Sequence, residues 1–140
     1  MVVKIEVQEL VSMLKKECRI RSNKDFRRIY RAGKAVPGKY LVLFKRENGV
    51  GIARFGFSIS KKVGKAVTRN RRKRILRELC RRHNDAIKPG YDIVIVARVA
   101  DKKDLVFKDV EKDLLRVLGK AGLLKDGFDE NTAKAHHPNS

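Results

Sequence analysis

Residues 61–82 form a dense concentration of side chains that could bind an anion. This stretch, KKVGKAVTRNRRKRILRELCRR, contains eleven Lys or Arg residues and a single Glu. Cations at this density repel one another, and a bound polyanion is the usual source of compensation. The residue types therefore predict that the stretch binds phosphate groups.

The position of these cations on a predicted helix supports the same interpretation. Thr68 is a favourable N-cap residue, which predicts a helix whose first turn and a half is Arg69–Arg74. Five of those six residues are cationic, at the end where the helix dipole is already positive. Each such placement costs roughly 0.3–1 kcal/mol at low salt. Because helix N–H groups beside arginines attract phosphate, we expect an anion site here.

The two sides of this predicted helix differ in character. At about 100° per residue, Ile75, Leu76 and Leu79 fall on one side and most cations fall on the other. Arg72 falls among the apolar positions. We expect it to extend its methylene groups along the core and to place its guanidinium in water.

The composition is that of one folded and strongly basic domain. The 140 residues include 35 Lys or Arg and 16 Asp or Glu, which gives a net charge of +19, and 42% are hydrophobic. The length suits a single core, and the apolar fraction excludes a disordered basic tail. No signal peptide or membrane span is predicted, because charged residues interrupt the apolar N-terminal segment. Cys18 and Cys80 lie far apart and are expected to be reduced thiols of a cytoplasmic protein.

Hydrophobic spacing predicts the elements that would position the basic stretch. The dipeptide Asn48-Gly49 predicts a tight hairpin between the first two strands, and the polar residues from Lys125 onward predict a disordered tail. Besides the basic helix, the expected elements are helices over residues 3–17, 24–32 and 107–120, and strands over residues 40–44, 54–60 and 91–97.

The same pattern predicts which residues cap or bury these elements. Ser22 or Asn23 is expected to cap the helix over residues 24–32. Phe55, Phe57 and Ile59 alternate with polar or small residues and are expected to face the core. The residues expected to face inward from the last helix are Val110, Leu114, Val117 and Leu118.

Residues 55–74, FGFSISKKVGKAVTRNRRKR, closely resemble the signature of the bacterial ribonuclease P protein subunit, with a further matching arginine at Arg77. The Arg-Asn-Arg core alone would be a weak match, whereas the twenty-residue string with its spacing is specific. The resemblance extends over about residues 18–120. Lys65 stands where the family usually has Asn, and Arg72 stands where an apolar residue is common. Both departures add positive charge.

The resemblance implies an α+β fold. The family fold is an αβββαβα sandwich with a four-stranded sheet and a left-handed βαβ crossover (ribosomal protein S5 domain 2-like), here with an extra N-terminal helix. It also implies a short strand near Lys34–Val36, which the sequence pattern does not reveal. Three segments are then expected: a helical extension over residues 1–17, a single RNA-binding domain over 18–122, and a tail over 123–140.

The resemblance also implies a protein subunit that performs no chemistry of its own. In the family, a catalytic RNA and its Mg²⁺ ions remove the 5′ leader of precursor tRNA, and the protein binds both RNAs. We therefore expect these two RNA partners, no membrane partner, no protein-held metal and no catalytic side chain. The residues agree, since no Ser-His-Asp or Cys-His arrangement is recognisable and His83 is expected to pack at the core boundary.

Correspondence with the family assigns two RNA-binding surfaces, one for the catalytic RNA and one for the leader. The leader-binding surface is a cleft between the short helix and the polar face of the sheet, where aromatic rings would stack on bases. Phe26 could either line this cleft or close the core. The surface toward the catalytic RNA comprises Lys61, Lys62, Lys65, Arg69, Asn70, Arg71, Lys73, Arg74 and Arg77, and the cleft comprises Phe26, Tyr30, Phe44, Ser58 and Ser60.

The net charge by itself is also compatible with two other classes of protein. A ribosome-associated or general RNA-chaperoning module would explain the charge, but not the string over residues 55–77. A DNA-binding regulator is the third possibility, and the sequence lacks a helix-turn-helix pattern or a dimerisation heptad.

Overall fold

The computed structural model describes residues 19–20, 22–32, 34–99 and 106–125. The helix predicted over residues 3–17, Cys18 and the chain beyond residue 125 lie outside these ranges. The αβββαβα order confirms the predicted α+β fold. The elements are α1 (Asn23–Ala32), β1 (Lys34–Pro37), β2 (Leu41–Glu47), β3 (Arg54–Ser58), α2 (Ala66–Arg82), β4 (Tyr91–Ala97) and α3 (Phe107–Lys120), with short 3₁₀ turns at Lys61–Val63 and Asn84–Ala86.

The four strands form one mixed sheet in the order β1-β2-β4-β3. β2 pairs antiparallel with both β1 and β4, whereas β3 pairs in parallel with β4. A parallel pair needs a long crossover connection, and α2 supplies it. β1, which was expected only from the family resemblance, is present close to its predicted position.

The prediction of a tight hairpin at Asn48-Gly49 is wrong. β4 lies between β2 and β3, so these two strands do not pair. The segment that connects them, residues 48–53, is hydrogen-bonded to Gly90, just before β4. The Asn48 N–H donates to the Gly90 oxygen at 2.9 Å, and the Gly90 N–H donates to the Ile52 oxygen at 3.0 Å. Gly49 does adopt a φ of 68°. The local turn is therefore formed as Asn48-Gly49 predicts. The dipeptide cannot show, however, that β4, a later strand, lies between the two strands that the turn would join.

A buried carboxylate fastens this connection to β4. Asp92 is 2% exposed and accepts hydrogen bonds from Arg54 Nε at 2.7 Å and Nη2 at 2.8 Å. Asn48 Nδ2 donates to the same carboxylate at 3.0 Å. The hydrogen bond to Asp92 raises the pKa of Arg54. Removal of the arginine would leave a buried charge without its partner, so this cluster holds β3 in register with β4.

Helices cover the sheet on both faces. α2 and α3 pack on one face and form the main core with side chains such as Leu43, Phe55 and Ile95. Ile20 and α1 cover part of the other face, where Ile29 and Val94 are fully buried. All four residues predicted to face inward from α3 lie in the main core: Val110, Leu114, Val117 and Leu118.

The ends of the domain show one confirmed prediction and one correction. Ser22 caps α1, as predicted, because its Oγ accepts the N–H of Lys24 at 3.1 Å. The packed chain continues past residue 122, where the domain was expected to end. Leu123 and Leu124 are buried, and the Lys125 N–H donates to the Ala86 oxygen at 2.8 Å. The polar composition predicts a tail, but it does not show that residues 123–125 still pack against the domain.

α3 also holds the turn between β1 and β2. Asp113 is 4% exposed; it accepts the N–H of Lys39 at 2.9 Å and that of Tyr40 at 2.7 Å, and it pairs with Arg116. At Gly38 a Cβ atom would lie 2.6 Å from Asp113 Oδ2. The glycine therefore allows the turn to approach a carboxylate that satisfies its backbone.

We expect Asp113→Ala to lower the free energy of unfolding by about 2–4 kcal/mol, because two backbone N–H groups lose their acceptor. Asp109→Ala is the matched control, since Asp109 lies in the first turn of the same helix. It should cost about 1 kcal/mol or less. Urea unfolding of both variants measures the difference. Equal losses would show that this carboxylate does not hold the turn.

Candidate nucleic-acid interface

α2 begins three residues earlier than predicted. Its N-cap is Lys65, which makes no side-chain capping hydrogen bond, and the Arg69 N–H already donates to the Lys65 oxygen at 2.9 Å. The predictions that Thr68 caps the helix and that arginines fill its first turn are therefore wrong. The conflict with the helix dipole is weaker than expected, because the dipole effect falls off within the first turn. The case for an anion site rests on the side chains.

The loop before α2 explains this early start. Ser60 Oγ accepts the N–H of Lys62 at 3.2 Å and caps the 3₁₀ turn Lys61–Val63. Gly64 follows with a φ of 153°, and a Cβ there would lie 3.1 Å from the Thr68 side chain. The turn and the glycine bring the chain into helical geometry ahead of Thr68.

Four cations of α2, between Arg69 and Arg77, have no acidic partner among the described residues. Within the described ranges, no carboxylate forms an ion pair with Arg69, Lys73, Arg74 or Arg77. Such a cluster creates a positive field that favours a polyanion. Arg69 and Arg77 are half-buried, and the remaining predicted contacts of this surface are exposed: Lys61, Lys62, Lys65, Asn70, Arg71, Lys73 and Arg74.

The last two cations of α2 are used within the protein. Arg81 pairs with Glu78 at 2.5 Å, and this hydrogen bond raises the pKa of Arg81. Arg82 lies 3.5 Å from Glu111 and 4.9 Å from the centroid of the Phe107 ring. The part of the basic stretch available to an outside anion is therefore the loop and the helix as far as Arg77.

Arg72 is buried, contrary to the prediction that its guanidinium reaches water. The residue is 7% exposed, and its Nη1 donates to the Arg98 oxygen at 3.3 Å, just beyond the end of β4. This burial lowers the pKa of Arg72. The nearby carbonyl, which no helical wheel can locate, gives the guanidinium a partner inside the protein.

His83 packs at the core boundary, as predicted. It is 6% exposed, and its Nε2 lies 2.7 Å from Glu111 Oε2. Among the described residues, no group of three or more His, Cys, Asp or Glu side chains could hold a metal ion. The histidine therefore joins α2 to α3.

Three aromatic rings lie together on the α1 side of the sheet. The Tyr30 and Phe44 rings meet edge to face with centroids 4.9 Å apart, and the Phe26 centroid lies 6.3 Å from that of Tyr30. Tyr30 is 38% exposed. The structure therefore brings together the three aromatic residues predicted for the cleft, with one ring open to solvent.

Phe26 packs in the core and also lies beside the exposed Tyr30 ring. It packs with Ile20, Ile29 and Val94 in the smaller core cluster, and a Cβ at Gly56 would lie 2.7 Å from its Cζ atom. The ring is nevertheless only half-buried. The core role is therefore present, and the cleft role stays a prediction.

The two serines predicted for the cleft have different positions. Ser58 pairs in register with Val96 of β4 and shares the α1 side of the sheet with Gly56. Ser60 lies beyond the strand and caps the 3₁₀ turn before α2. Ser58 can therefore line the cleft, while Ser60 shapes the basic loop.

A cavity of about 270 Å³ lies between α1, the outer edge of β3 and α2. Sequence analysis did not single out Arg19 or Phe57, two of the residues that line it. Phe57 was assigned to the core by alternation, and Arg19 lies outside any periodic element. A parallel bridge between Arg19 and Phe55 places this residue beside β3. Only the tertiary structure could reveal the cavity.

None of the described helices has the length and apolar character needed to cross a membrane.

Comparison with known proteins gives one consistent result. The family model described as Ribonuclease P matches residues 14–122. The ribonuclease P protein component of Clostridium botulinum (strain Loch Maree / Type A3) is 48% identical over 109 residues, which are 77% of this chain and 97% of that protein. The one from Desulforamulus reducens is 49% identical over 108 residues, covering 76% and 94% of the two chains.

Solved structures agree with these sequence matches. The ribonuclease P protein of Staphylococcus aureus superposes with a TM-score of 0.71 at 36% identity, covering 77% of this chain and 98% of that one. The protein of Thermotoga maritima gives a TM-score of 0.68 at 35% identity, covering 73% and 96%. Together with the αβββαβα order and the basic α2, these matches show that the chain belongs to the ribonuclease P protein family.

Proposed function

We propose that the loop before α2 and that helix as far as Arg77 bind the catalytic RNA, and that the aromatic cleft binds the 5′ leader of precursor tRNA. Membership of the family makes the chain the protein subunit of an endoribonuclease that works with an RNA subunit on precursor tRNA. The family match also separates it from a general RNA chaperone and from a DNA-binding regulator. We further propose that it acts in the cytoplasm.

Four cations of α2 that pair with no carboxylate of the described chain are the observation that carries this proposal. These are Arg69, Lys73, Arg74 and Arg77, whereas Arg81 has such a partner. A protein that needed these charges for stability would pair them. Cations without a carboxylate partner are available to neutralise phosphates and to release counterions.

The cleft has the features that bind single-stranded RNA without reading its sequence. Tyr30 offers an exposed ring, and its edge-to-face contact with Phe44 holds that ring in place. Base stacking on aromatic rings tolerates any sequence, which suits leaders that differ between tRNAs. Ser58 adds a hydroxyl on the same side of the sheet.

We assign the Mg²⁺ ions to the catalytic RNA and its substrate. Three buried acidic residues, Asp92, Asp113 and Glu111, are already engaged with arginines, backbone N–H groups or His83. Recruitment of these carboxylates to a metal would break contacts that hold the fold. The role left to the protein is to bind and position RNA.

Reconstitution tests the central assignment. At low Mg²⁺, the chain should stimulate accurate 5′ cleavage of precursor tRNA by a bacterial ribonuclease P RNA, because its cations replace part of the charge screening. The purified chain without RNA should not cleave at that position. Lack of stimulation with several such RNAs, or accurate cleavage after all RNA is removed, would contradict the assignment.

Arg74→Ala should weaken binding to the catalytic RNA and reduce the slope of log K against log salt by about 0.7–0.9, since one phosphate contact is lost. Arg81→Ala is the matched control on the same helix, because Arg81 is already paired with Glu78. Its slope should not change. Filter binding at several salt concentrations measures both variants, and equal slopes for them would refute the assigned surface.

Tyr30→Leu should weaken holoenzyme affinity for precursor tRNA by about 1–3 kcal/mol and leave affinity for mature tRNA nearly unchanged, because only the precursor has a leader. Tyr91→Leu is the control, since Tyr91 packs against the main core on the other side of the sheet. Thermal melts of both variants monitor folding. The Tyr30 ring is structural if Tyr30→Leu lowers the affinity for both tRNAs equally. It is also structural if the loss of affinity persists with a precursor that has a one-nucleotide leader.

A further inference from the structure

The cavity between α1, the edge of β3 and α2 lies between the two proposed RNA-binding surfaces. Phe26, which borders the cleft through its contact with Tyr30, also lines the cavity. Lys73 and Arg77 of the basic helix line its other side. A strand of RNA that contacts both surfaces would therefore pass its opening.

The inner wall of the cavity is apolar and partly aromatic. Phe26, Phe57 and Ile20 line it, together with the backbone of Gly56. At Gly56 a Cβ atom would lie 2.7 Å from the Phe26 ring and 3.2 Å from Ile20 Cβ. The glycine thus allows the Phe26 ring to pack directly against the backbone of β3, and both phenylalanines are only half-buried.

The rim of the cavity is cationic. Lys73 and Arg77 are four residues apart on α2 and so project from the same side of the helix, and Arg19 joins them. No acidic residue is among the described residues that line the cavity. An apolar wall with a cationic rim suits a ligand that has one flat apolar part and one anionic part.

We propose that the cavity binds one unpaired nucleotide of a bound RNA, with its base at the edge of β3 between Phe26 on one face of the sheet and Phe57 on the other, and its phosphate beside Lys73 and Arg77. The volume of about 270 Å³ is just below the roughly 300–1,000 Å³ of typical small-molecule sites, which suits one base rather than a folded motif. This inference rests on the proposed function. The nucleotide comes either from the leader or from the catalytic RNA.

A titration that needs no large RNA tests the cavity directly. Adenosine 5′-monophosphate should shift the NMR amide signals of Gly56 and Phe57, and ribose 5-phosphate, which lacks the base, should shift them much less. Equal shifts with the two probes would show that the cavity recognises the phosphate and not the base, and would overturn the proposal. Absence of any shift at millimolar nucleotide would also overturn it.

Phe57→Leu tests the cavity in the complex, because leucine keeps apolar volume but removes the aromatic surface. We expect at least about a fivefold loss of RNA affinity, the lower end of the effect of losing one base stack. Phe107→Leu is the matched control: both phenylalanines are partly buried against the main core, but Phe107 does not line the cavity. Thermal melts should show similar losses for the two variants.

The two sources of the nucleotide give different patterns. If Phe57→Leu weakens binding of the catalytic RNA alone, that RNA supplies the nucleotide. If it weakens only precursor tRNA binding to the holoenzyme, the leader supplies it. Unchanged affinity in both assays, or an equal loss with Phe107→Leu, would overturn the proposal. Failure of the unaltered chain to bind either RNA would contradict the proposed function, while the nucleotide titration judges the cavity separately.

Discussion

The pairing of β3 with β4 is the constraint on which the rest of the molecule depends. Because the two strands are parallel and adjacent, the chain must return from one end of the sheet to the other between them, and α2 makes that return. The same pairing leaves β3 at the edge of the sheet. The basic helix is therefore held beside the edge strand of the sheet, which residues 19–20 cover only at Phe55.

Buried charges maintain this arrangement without consuming the cations that face outward. Asp92 fixes the start of β3 through Arg54. Asp113 holds the β1–β2 turn, and Glu111 engages Arg82 and His83. Each of these three carboxylates has a structural partner. Among the described residues none of them pairs with the cations of α2 between Arg69 and Arg77, which therefore add to a positive field on that surface.

The contact between Gly56 and Phe26 connects the small core cluster to both proposed RNA surfaces. The absence of a side chain at Gly56 allows α1 to rest on β3 through the Phe26 ring. That ring then borders the aromatic cleft on one side and the cavity on the other. A single close approach between a helix and an edge strand therefore brings together elements that bind bases and elements that bind phosphates.

The sequence by itself determined the order of the elements other than β1, the limits of the last strand and the last helix, and the residue types of the interface. β4 and α3 have their predicted limits, and the inward residues of α3 were correctly identified, because hydrophobic periodicity reports burial directly. The string over residues 55–77 identified the family through residue types at fixed spacing.

The tertiary structure decided whatever depends on residues distant in the chain. The hairpin at Asn48-Gly49 was wrong because β4 inserts between its strands, and the start of α2 shifted because the Ser60 and Gly64 turn precedes it. Arg72 is buried because the Arg98 carbonyl lies beside it. The division of the helix cations into paired and unpaired groups, and the cavity at β3, also require packing between elements. Local propensity carries no information about such neighbours, since partner atoms are supplied by segments that meet only in the folded chain.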